Sequence, residues 1–60
     1  MKKYLTTKDL AEMLQVKQLT IYRWVQLKKI PYIKLPGGDL RFEVDKIENW
    51  IRLRTIKQKS

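Results

Sequence analysis

The sequence contains neither cysteine nor histidine. Disulfides, thiol nucleophiles, imidazole bases and the usual zinc ligand sets are therefore all excluded at once. Glycine and proline are scarce, at two residues each, and both glycines fall in one short segment. Acidic residues are few: six Asp and Glu stand against fourteen Lys and Arg, a formal net charge of +8. No apolar run approaches the ~18 residues that a membrane-spanning helix requires, and no signal-peptide pattern opens the chain. These absences point to a single domain over residues 1–60, in the cytoplasm and off the membrane, with no metal or cofactor site.

The length of 60 residues sets a further bound. A chain of this size buries only roughly 60% of the surface its unfolded form exposes, which leaves one small core and no room for an enclosed active site. Without staples, packing must supply the stability, and Trp24, Trp50, Phe42, Tyr22 and Tyr32 are large enough to contribute. The six carboxylates are scattered, and no pair has the spacing of shared acid–base work, so no catalytic residue is expected. The cationic excess instead favours a polyanionic partner.

Apolar periodicity gives the order of elements. Residues 1–4 form a basic lead-in. Thr6 is placed to cap a first helix, with Asp9 answering it three residues on and Leu5 stapling against Leu10. Leu10, Met13 and Leu14 share one face, with Ala11 beside them, so this helix is expected from about Thr7 to Leu14. Gln15-Val16-Lys17 breaks the pattern. A second helix begins at Gln18, carries Ile21, Trp24, Val25 and Lys28 on one stripe, and is expected to end at Ile30-Pro31. The short link forces the two helices to pack steeply against each other.

Tyr32-Ile33-Lys34-Leu35 and Leu40-Arg41-Phe42-Glu43 flank Pro36-Gly37-Gly38-Asp39 and read as a β-hairpin. Phe42 and one of Ile33 or Leu35 are expected in the core. Helical spacing returns from about Val44, with Ile47, Trp50 and Ile51 on a stripe and Arg54 at its edge. Both tryptophans sit on apolar stripes and are expected in the core. The polar, basic tail 55–60 is expected to fray, leaving a core of residues 4–54.

At 100° per residue, the outward face of the second helix collects Gln18, Leu19, Tyr22, Arg23 and Gln26, with no acid among them. Gln pairs with adenine, Arg with guanine or phosphate, and an aliphatic group touches a thymine methyl. An ordinary solvated face is the competing reading, but such a face usually mixes both charge signs and gives no reason for an exposed Leu19. The hairpin adds Lys34 and Arg41 as phosphate contacts, with Gly37 and Gly38 allowing close backbone approach; the competing reading is a hairpin that merely completes the core. Lys17 and Thr20 complete the expected backbone grip.

The ordered set Leu5-Thr6, Ala11, Val16, Thr20-Ile21-Tyr22-Arg23-Trp24, Ile30-Pro31, Pro36-Gly37-Gly38, Arg41-Phe42, Ile47 and Trp50 resembles the helix-turn-helix domain of the excisionase family, related to the MerR-type winged helix. The resemblance covers Tyr4 to Ile51. It implies a mainly α fold with a small β-hairpin, a winged helix-turn-helix of order α-α-β-β-α, whose second helix enters the major groove while the wing follows backbone or minor groove. It assigns Thr20, Tyr22 and Arg23 to the recognition-helix motif and Arg41 to the basic wing position, and leaves Gln18, Leu19 and Gln26 to choose the sequence.

Three positions depart from the family pattern. Lys17 stands where a serine cap is usual, Gln15 where glycine is favoured, and Asp39 at a wing tip that is often basic, which argues against deep insertion of that tip. The function implied is sequence-specific binding of double-stranded DNA as an excisionase-like recombination directionality factor of a phage or mobile element. An integrase and further copies of the chain on DNA would be its partners. A small transcriptional regulator of the same fold, the DNA-binding part of a resolvase or packaging subunit, and a protein-interaction module are the alternatives.

Overall fold

A computed structural model describes residues 3–54 of the chain. Its elements are β1 (Tyr4–Leu5), α1 (Thr7–Leu14), α2 (Gln18–Gln26), β2 (Ile33–Lys34), β3 (Leu40–Glu43) and α3 (Val44–Arg54). The expected helix–helix–hairpin–helix order is present, with one addition at the front. A strand begins at the end of the stretch expected as a basic lead-in: β1 pairs antiparallel with β3, Tyr4 opposite Glu43 and Leu5 opposite Phe42, giving a sheet of order β1-β3-β2. The Val44 N–H donates to the Lys3 carbonyl at 3.1 Å and extends this pairing to the start of α3. The tail expected to fray, 55–60, lies outside the described residues.

Helix α1 starts as its sequence dictates. The Thr6 hydroxyl accepts from the Asp9 N–H at 3.0 Å, and the Asp9 carboxylate accepts from the Thr6 N–H at 3.2 Å, a complete capping box. The helix stops at Gln15, which adopts φ 57° and ψ 45°. The Gln15 N–H donates to the Glu12 carbonyl at 3.2 Å and the Val16 N–H to the Ala11 carbonyl at 3.0 Å, the paired closing bonds of a Schellman turn. A side chain in the left-handed region carries a strain on the order of 1 kcal/mol, so the turn keeps the geometry usual for glycine and Gln15 bears that strain.

Helix α2 closes in the same way, earlier than expected. Lys28 adopts φ 56°. Its N–H donates to the Val25 carbonyl at 3.0 Å, and the Lys29 N–H donates to the Trp24 carbonyl at 2.9 Å. The helix therefore ends at Gln26 rather than at Ile30-Pro31, and Lys28 leaves the apolar stripe on which it was placed. The reversal carries Ile30 back into the core, where it is buried.

Leu5, Leu10, Ala11, Ile21, Ile30, Phe42 and Ile47 form the core, with Phe42, Leu10, Ile21 and Ile47 wholly enclosed. Each element except β2 places at least one side chain there, so the sheet and the three helices share one centre. Met13 was expected on the inner face of α1 but is exposed, because the core-facing arc is filled by Leu10, Ala11 and Leu14. Of the large aromatic residues expected to supply packing, only Phe42 is enclosed, whereas Tyr22 and Tyr32 face outward.

Trp24 and Trp50 pack at the rim of the core rather than inside it. Their ring centroids are 5.7 Å apart at a 52° tilt. This rim position lets the Trp50 indole N–H donate to the Lys29 carbonyl at 2.7 Å, so α3 is pinned to the turn that follows α2. Arg54 lies over the Trp50 ring, 4.7 Å from its centroid, consistent with its place at the edge of the stripe. Asp45 stands in the first turn of α3 and Arg52 and Arg54 in the last, each complementing the helix dipole.

Candidate nucleic-acid interface

The three residues between α1 and α2 set the angle at which α2 presents its outer face. Val16 packs against the core and holds the turn inward, while Gln15 and Lys17 remain exposed. Ile21 is fully enclosed, and Trp24 and Val25 pack beside it. With that side committed to the core, the opposite side turns outward. Gln18, Leu19, Tyr22, Arg23 and Gln26 are all exposed, and Thr20 is half-buried at the margin. Leu19 is 66% exposed and, among the described residues, does not belong to the hydrophobic side chains packed on the core.

The start of α2 differs from that of α1. Lys17 sits at the capping position in extended conformation, and its side chain makes no capping bond. The Thr20 N–H reaches back to the Lys17 carbonyl at 3.0 Å. The first turn carries no acid of its own to complement its positive dipole end.

The hairpin forms around Pro36-Gly37-Gly38. The Gly38 N–H donates to the Leu35 carbonyl at 2.9 Å, with Pro36 and a positive-φ Gly37 in the two central positions, the residue pattern of a type II turn. The Leu35 N–H donates to the Asp39 carbonyl at 2.7 Å and closes the loop. Gly37 and Gly38 have φ 97° and 102°, and an added Cβ would meet nothing within 4 Å at either. Glycine is required there by backbone conformation alone, and the surrounding space is open.

Strand register decides where the wing cations lie. Lys34 pairs with Leu40, and Ile33 pairs with Arg41. Paired residues share a face, and neighbouring residues point to opposite faces. Leu40 and Phe42 turn toward the core, so Lys34 lies on the side that faces α2 and Arg41 on the other side. The two cations therefore start from opposite faces of the strand pair, although Arg41 still lines the depression beside the start of α2. Arg41 is half-buried, and its guanidinium Nη1 donates to the Leu40 carbonyl at 2.8 Å.

Two open depressions join the outer face of α2 to the wing. One is lined by Thr6, Thr7, Lys8, Gln18, Tyr22, Gly38, Asp39, Leu40 and Arg41. The other is lined by Tyr22, Val25, Gln26, Lys28, Tyr32, Lys34, Gly38 and Leu40. Tyr22, Gly38 and Leu40 line both, so the helix face and the wing form one continuous concave surface with the tyrosine at its centre. Of the residues proposed from sequence, Gln18, Tyr22, Gln26, Lys34, Gly38 and Arg41 line this surface. Leu19 and Arg23 project from the helix beside it, as exposed residues that line neither depression.

Lys8, Lys28 and Tyr32 also line the surface and were missed in the sequence reading. Lys8 is exposed in the first turn of α1, and only the packing of α1 on α2 brings it to Gln18. Lys28 is brought there by the left-handed turn that ends α2. No local pattern in the sequence signals either placement.

Two helices joined by a three-residue turn, a glycine-tipped hairpin and a closing helix define a winged helix-turn-helix fold. The chain belongs to the helix-turn-helix domain family, whose model matches residues 4–55. Membership of this family implies DNA binding. Comparison with curated proteins and with solved structures gave no match.

Proposed function

We propose that this protein binds double-stranded DNA in a sequence-specific manner, with α2 in the major groove and the β2–β3 wing along the adjoining backbone. Gln18, Tyr22, Arg23 and Gln26 read base edges, and Leu19 packs on a thymine methyl. Lys17, Thr20, Lys34 and Arg41 grip phosphates, while Gly37 and Gly38 let the wing backbone approach closely. The observation that carries this reading is the acid-free, exposed outer face of α2, continuous with the wing through Tyr22. The uncapped start of α2 supports it, since a helix N-terminus without a protein partner suits a phosphate.

The role that fits best is that of an excisionase-like recombination directionality factor, acting by binding rather than by catalysis and without a cofactor or metal. This role rests on the resemblance carried by Tyr4 to Ile51. It places an integrase and further copies of the chain on the same DNA, because one small domain covers a short footprint.

Footprinting on DNA flanking the gene, combined with a salt titration, tests the proposal. Protection is expected at sites beside a recombination junction and should survive excess random duplex. With five or six phosphates neutralised, affinity should fall roughly a thousandfold between 50 and 200 mM salt. Protection confined to a promoter would instead assign a transcriptional regulator. Absence of any duplex footprint would leave a protein-interaction module.

A further inference from the structure

The depression at the start of α1 contains one acid among its lining residues, Asp39, on the wing side opposite Lys8 and Gln18. The backbone of Asp39 is fixed by the 2.7 Å bond from the Leu35 N–H to its carbonyl, whereas its side chain is exposed and, among the described residues, has no hydrogen-bond or ion-pair partner. Neither capping nor packing accounts for a carboxylate here. On the proposed mode of binding, the DNA strand between the recognition helix and the wing passes over this depression, with Lys8 and Arg41 at its rim. A negative charge at that point opposes the strand that the cations attract.

We propose that Asp39 is an affinity-limiting residue of the DNA surface. Its carboxylate offsets the rim cations and weakens the hold on every duplex alike, so that stable occupancy depends on base contacts made by α2. The inference rests on the DNA-binding reading above and adds to it a residue whose removal should tighten binding. One unit charge several ångströms from a phosphate, near water, corresponds to about a three- to tenfold change in affinity at low salt. The effect should shrink as the ions screen it.

The test is fluorescence anisotropy with a 30-base-pair duplex of random sequence, comparing the wild-type chain, Asp39→Asn and Glu48→Gln at about 50 and 300 mM salt. Glu48→Gln removes the same charge from the exposed side of α3, away from both depressions. Asp39→Asn should bind about three- to tenfold more tightly at the lower salt, with most of that gain gone at the higher, while Glu48→Gln changes affinity less than twofold. Equal gains in the two variants would reduce the effect to net charge and overturn the proposal. An unchanged or weakened Asp39→Asn would overturn it as well, the second result indicating a base contact. A wild-type chain that fails to bind the duplex at low salt overturns the DNA-binding reading itself, an outcome distinct from the others.

Discussion

Helices α1 and α2 have 8 and 9 residues, pack on one another, and end in the same way, each with a non-glycine residue in the left-handed region and two closing backbone bonds. They begin differently. The first turn of α1 is closed by its own side chains through the Thr6–Asp9 capping box, whereas the first turn of α2 is left open behind Lys17. The faces differ too, since α1 buries Thr7, Leu10 and Ala11 and α2 fully buries Ile21 alone. The first helix is secured by local bonds and the core. The second draws on the core through a narrow stripe and leaves its polar side chains, Thr20 apart, exposed.

The largest effect that should expose this difference is on the two sides of α2 itself. Ile21→Ala removes a wholly enclosed side chain and should cost about 2–5 kcal/mol, enough to unfold much of so small a domain. Leu19→Ala, two residues away on the exposed side, should shift stability by less than about 0.5 kcal/mol. Thermal unfolding followed by circular dichroism would show both. Comparable losses in the two variants would mean that the outer side of α2 is also structural.

A smaller effect should separate the two helix starts. Thr6→Ala removes the hydroxyl that accepts from the Asp9 N–H, while the backbone N–H of residue 6 keeps its bond to the Asp9 carboxylate, and should cost roughly 1 kcal/mol. Lys17→Ala removes no capping bond and should leave stability within about 0.5 kcal/mol of wild type. Urea denaturation read by tryptophan fluorescence is suited to this pair, because Trp24 and Trp50 report on the junction of α2 with α3.

What the sequence disclosed and what it hid follow the same division. The capping box, the limits of α1, the start of α2 and the hairpin were legible, because each depends on residues within a few positions of one another. Strand β1 was not, since two residues are too few to show alternation and their partners in β3 lie far along the chain. The end of α2 was hidden because Lys28 takes a conformation usually marked by glycine. Met13 was misplaced inward because periodicity gives the direction of a face but not the width of the arc that the core can cover. At the interface, the outward residues of α2 could be read from a helical wheel. The place of Lys8, and the opposite strand faces from which Lys34 and Arg41 start, required the packing of α1 on α2 and the strand register.

The account turns on the outer face of α2, and Arg23 tests it most directly. It is exposed, and the wheel places it among the groups proposed to meet the duplex. Its replacement should therefore leave the fold intact. Gel-shift titration of Arg23→Ala on the footprinted site should show affinity lowered by roughly 1–3 kcal/mol, with the unfolding midpoint unchanged. Wild-type affinity in that variant would contradict the placement of α2 in the groove.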